Sequence, residues 1–173
     1  MTDTWFDFKD GNGPVPAHKH SNGGGWVADT AKVDETAFVG PHAKVFGNAK
    51  VWGYAKVYGN AWVFDNAKVA EDALVFGNAK VAGNAVVYGN AWVYDNAKVY
   101  VDAEVYGNAQ VSGNADISGN AQVSGNAIVC GKAMVYGFTE VSGIALVRGD
   151  AEVKKETKKD RIFINGKWYE EVE

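Results

Sequence analysis

Residues 44–67 read KVFGNA KVWGYA KVYGNA WVFDNA, four six-residue units that share Val at the second position and Ala at the sixth. The same frame extends in both directions without insertion, from Trp26 to Thr157, for 22 units. Val holds the second position in every unit except the one with Ile117, and Ala holds the sixth except at Thr139 and Thr157. A period of six with one large and one small apolar site does not make a helical face, and β-branched valine favours strands. Each unit is therefore read as a short strand followed by a turn. Gly occupies the fourth position in 14 units and Asn the fifth in 11, and both residue types tolerate the left-handed backbone of a sharp corner.

Three strand-and-corner units, 18 residues, close a triangular coil. Residue n then lies over n+18 at about 4.8 Å, paired with the coils above and below. The 22 units give a little over seven such coils. Val along each wall and Ala near each corner suit a narrow prism at close packing, so a large residue in an Ala column should be poorly tolerated. Outside the repeat, residues 1–25 carry Trp5-Phe6-Asp7-Phe8, then Gly/Pro turns and Gly23-Gly24-Gly25, and they read as an N-terminal cap over the open end of the solenoid. Residues 158–173 read as a linker and a C-terminal β-hairpin, with Asn165-Gly166 as the turn between two apolar runs.

The Val-x-Gly-Asn-Ala-x pattern resembles the hexapeptide repeat of left-handed parallel β-helix proteins, a family that includes acyltransferases and γ-type carbonic anhydrases. The resemblance covers residues 26–157. It implies an all-β fold, a left-handed coil, and prisms side by side about a threefold axis. A monotonous Gly-Asn-Ala prism behind such an N-terminal cap is also similar to uncharacterised hexapeptide-repeat proteins of bacteriophages and prophages. In that family activity rests on residues that depart from the repeat, so the outward positions and the ends are where function should be sought.

The first and third positions of each unit face outward, and the three walls they form are not equivalent. On the third wall the first position is Phe38, Lys56, Leu74, Trp92, Gln110, Ile128 and Leu146, five of the seven apolar, and the third position adds Tyr58, Phe76 and Tyr94. Such a stripe is larger than a monomer usually leaves in water, so this wall is expected to be an oligomer interface, most simply in a homotrimer. On the second wall the first position is Lys32, Lys50, Lys68, Val86, Glu104, Gln122 and Glu140, only one of the seven apolar. The first wall mixes aromatics with lysines, and Trp62, Phe64, Lys80 and Lys98 on it are candidate ligand-binding residues able to stack a ring or sugar and neutralise a phosphate. Trp62 and Trp92 sit in near-duplicate segments on different walls, so neighbouring prisms would bring them to one cleft.

Chemistry is sparse. The acyltransferases of the resembling family use a histidine near an intersubunit cleft, often with loops that interrupt the coils; here no loop interrupts them and the histidines are His18, His20 and His42. His42 occupies a corner with no visible orienting partner, which leaves an acyl-coenzyme A transferase as the second reading. The carbonic anhydrases need three histidines on the walls, a pattern that fails because His18 and His20 precede the prism. His18 and His20, alternate residues of one strand, could still hold a metal. A single cysteine, Cys130, excludes a disulfide framework and a zinc cluster. A formal charge of −4 and the absence of a long apolar run leave duplex nucleic acid and membranes as unexpected partners. The expectation is a nonenzymatic cytoplasmic scaffold, in the host cytoplasm if phage-encoded, without a cofactor, that recognises a protein or small ligand.

Overall fold

The computed structural model describes residues 4–155, 162–164 and 167–169. Strands β1 (Trp5–Asp7) and β2 (Pro14–Lys19) come first. From β3 (Trp26–Ala28) to β24 (Glu152–Lys155) one strand opens each six-residue unit, and β25 (Ile162–Ile164) and β26 (Lys167–Tyr169) close the chain. Most of the repeat strands are two residues long, because the first and second positions alone are extended and the other four turn the corner. Each strand pairs in parallel with those 18 residues before and after it, as in Lys44↔Trp62 and Val45↔Val63. The result is a parallel β-solenoid with three walls, one sheet of twelve strands and two of seven.

Inside the prism the valines and alanines from Ala37 to Val135 are fully buried, and Ile117 fits among them. Each buried Val contributes roughly 1.5–3 kcal/mol, so the column of valines is the main source of stability. Thr139 shows what the Ala column accepts: it is buried, and its hydroxyl donates to the Tyr136 carbonyl at 2.7 Å, so the extra polar atom is satisfied within its own corner.

The corners correct one expectation. Left-handed φ falls on the fourth position, in Gly47 to Gly149 and also in Asp65, Glu71, Asp95 and Val101, while the fifth-position Asn residues adopt negative φ. Asn serves instead as a rung between coils. Asn60, Asn78, Asn96 and Asn114 pass amide-to-carbonyl bonds up one edge at 3.1–3.3 Å, and Asn66, Asn84 and Asp102 do so up another. Two of the corner acids repay part of their strain, since Asp65 and Asp95 accept from the backbone N–H of Gly83 and Gly113 one coil on. Glu71 and Val101 have no such bond, and Val101 is β-branched and exposed.

The cap expected over residues 1–25 extends the first wall. β1 pairs antiparallel with β2, and β2 with β3, which places Ala17 opposite Ala28. At the other end β24, β25 and β26 pair antiparallel in sequence. The expected turn residues Asn165 and Gly166, and residues 156–161, lie outside the described part of the chain.

Replacing Val101 by Gly should raise stability by about 1–2 kcal/mol, the cost of a left-handed side-chain-bearing residue. Thermal unfolding of the variant against wild type measures it.

Candidate functional site

Side chains in the third column of each wall stand 18 residues apart in register, so neighbouring aromatic rings stack. On the third wall Tyr58 and Phe76 lie 4.9 Å apart and Phe76 and Tyr94 5.0 Å, nearly coplanar in orientation. Trp92 meets Phe76 edge-on. The expected interface residues Phe38, Tyr58, Leu74, Phe76 and Tyr94 are half-buried, whereas Trp92, Ile128 and Leu146 are 41, 37 and 54% exposed. They share one sheet: Leu74 pairs with Trp92, and Ile128 with Leu146. A depression of about 490 Å³ at the N-terminal end of this wall is lined by Phe38, Tyr58 and Leu74 with Tyr54 and Lys56.

The first wall is partly occupied by the chain itself. Phe6 and Phe8 alternate on β1 and its continuation and fold back over the prism: Phe6 stacks on Trp26 at 4.2 Å, and buried Phe8 stacks on Phe46 at 4.8 Å. Phe46 is left 4% exposed, so this arm withdraws it from any ligand face. Lys44 reaches across, its ammonium donating to the Phe8 carbonyl at 3.1 Å and lying 4.7 Å from the Trp62 ring centre. Burial pushes the Lys44 pKa below its ordinary value. The arm carried a legible signal in the alternation of Phe6 and Phe8, but a strand pattern names no partner face.

Of the four candidate ligand residues, the structure brings three together. Phe64, Lys80 and Lys98 line one depression of about 270 Å³, with Ala82, Tyr100 and Asp116. Trp62 lies beside them, held between the ammonium groups of Lys44 and Lys80, the latter at 4.6 Å. The Tyr100 pKa is raised, first by burial and then by its hydrogen bond to Asp116.

The histidines separate. His18 Nδ1 lies 2.8 Å from Asp29 Oδ1 on the surface, while His20 is buried with Nε2 3.0 Å from the Ala37 carbonyl. Each imidazole thus has its own protein partner, and among the described residues no three His, Cys, Asp or Glu side chains gather as a metal site would require. His42 is exposed at its corner. Among the described residues no helix is long and apolar enough to cross a membrane.

Comparison with known proteins agrees with the architecture. Residues 121–137, just under one coil, match a family model described as the YdcK beta solenoid repeat. The repeat is a β-solenoid repeat. No curated protein and no solved structure matches the chain.

Truncating Phe8 to Ala should cost about 3–5 kcal/mol, the usual loss for a fully buried aromatic ring. Denaturant unfolding reads this directly. Limited proteolysis before Gly25 should accelerate in the same variant, because the arm loses its anchor on Phe46.

Proposed function

We propose that this protein is a nonenzymatic scaffold that assembles side by side through its third wall, most simply as a homotrimer, and presents its remaining surfaces to a ligand or partner. One observation carries the reading: exposed Trp92 flanks the stacked rings of Tyr58, Phe76 and Tyr94, and beyond Gln110 the exposed pair Ile128 and Leu146 lies on the same rigid face. A largely apolar face of this kind favours association, and a closed symmetric ring buries every copy of it. The ladders also stabilise neighbouring strands within one chain, but that role does not account for the outward, unstacked Ile128 and Leu146. The first column of the second wall supplies the contrast, with lysines at its start, glutamates towards its end and Val86 alone apolar.

An acyltransferase is the competing reading. Against it stand the uninterrupted coils, which leave no loop to shape an acceptor site, and His42, whose ring has no hydrogen-bonding partner among the described residues. A general base requires an orienting partner and reach to a substrate proton.

Light scattering on wild type should give three times the chain mass of 18.5 kDa, and the double variant Leu74→Glu with Trp92→Glu should fall to a single chain with an unchanged circular dichroism spectrum. Equal mass for both proteins would sink the interface. Calorimetry with acetyl-coenzyme A should show no heat that depends on His42; binding lost in His42→Ala would instead restore the enzyme reading.

A further inference from the structure

On the first wall the third-column residues of successive coils are Phe46, Phe64, Ala82 and Tyr100. Phe46 and Phe64 stack at 5.0 Å, the same rung spacing as in Tyr58, Phe76 and Tyr94, and as in Tyr88 and Tyr106. At Ala82 the ring is missing. Phe64 and Tyr100 are two rungs apart, so a flat group between them would sit at the ladder's own spacing from each. The gap is open: Ala82 is half-buried, and lines the 270 Å³ depression, near the lower end of small-molecule sites.

A second missing ring provides the control within the molecule. On the second wall Ala70 stands between Trp52 and Tyr88 in the same column position, yet it is 3% exposed. The neighbours close over Ala70 and leave Ala82 uncovered. The surroundings of Ala82 are also charged. Lys80 and Lys98 pair in register on adjacent coils, and both are exposed at its rim. Against them the depression has one carboxylate, Asp116, which lies beside the Tyr100 hydroxyl.

We propose that the Ala82 gap is a binding slot for one planar aromatic ring bearing an anionic group, the chemistry of a nucleoside monophosphate. The ring completes the ladder between Phe64 and Tyr100, and the anion meets Lys80 and Lys98. Stacking on two faces selects a flat ring over a saturated sugar, and the paired ammonium groups select an anion over a neutral ring. The proposal deepens the scaffold reading by naming a site and a ligand class, but it does not depend on the third wall.

The test uses the full-length protein with AMP, GMP, CMP and UMP, and with adenosine and ribose 5-phosphate as single-feature controls. Calorimetry should give a Kd of about 1 mM or tighter for at least one nucleotide, with the matching ring-only or phosphate-only control weaker by about tenfold or more. Ala82→Phe supplies the missing ring from the protein itself; it should abolish nucleotide binding and raise the melting temperature. Lys80→Gln with Lys98→Gln should weaken the nucleotide by about tenfold while leaving adenosine unchanged. Equal nucleotide binding by Ala82→Phe, or no binding of any of the four to wild type, overturns the slot. So does a lower sedimentation mass for Ala82→Phe, which would mean that a side chain of a second copy fills the gap. The mass of wild type against Leu74→Glu with Trp92→Glu reports the assembly separately, so either reading can fail while the other stands.

Discussion

Each coil rests on the next with every residue above its counterpart eighteen positions on, and at the corners this presses backbone against backbone. A Cβ added to Gly59 or Gly89 would lie 2.9 Å from the amide nitrogen of the coil that follows, closer than side chains tolerate. The corner must also turn left-handed, which glycine does without penalty. Both demands fall on one position per unit, and that coincidence makes the repeat so uniform. Where the demand is broken, at Asp65, Glu71, Asp95 and Val101, the residue eighteen positions on is Gly in each case. Strain in one coil is thus placed against the least bulky neighbour.

The same register dictates what the outside can do. A residue type repeated at an interval of eighteen becomes a ladder whether it is Asn at a corner or a ring on a wall, and the ladder reinforces parallel pairing between very short strands. Rings crowd the N-terminal half, whereas Ser112, Ser118 and Ser124 hold the equivalent places further on. The N-terminal arm draws on this asymmetry. By laying Phe6 and Phe8 on Trp26 and Phe46 it covers the start of the first wall, and the comparable rings of the third wall stay in contact with solvent.

The interior was legible because its rule is compositional: Val and Ala at a fixed period suit a narrow three-walled prism. The corner was legible in kind but not in detail. Gly and Asn share a tolerance for left-handed backbone, so sequence could not say which of them used it, and the close approach at Gly59 or Gly89 that decides the matter exists only once coils are stacked. The first-wall site was half-legible. Phe64, Lys80 and Lys98 stood out by residue type, but Ala82, Tyr100 and Asp116 did not, since an alanine announces nothing until the rings on either side are seen. Phe46 shows the opposite case. It has the chemistry of a ligand platform, but Phe8, from a segment ahead of the repeat frame, takes that surface first.

A site made by leaving out a ring has a physical advantage on a solenoid. In a protein with a deformable core, a large-to-small change at a stacked position tends to collapse, and the cavity is lost. Here the coils above and below are held by backbone bonds on all three walls, so the walls cannot close vertically, and only side chains can move. Whether the gap fills then depends on the lateral neighbours. At Ala70 they cover it, and at Ala82 they leave it open, with Lys80 laid over the Trp62 ring and so away from the gap. The rigidity that makes the repeat monotonous therefore also lets a single alanine hold an open, two-faced aromatic gap without a loop insertion or a change in the coil.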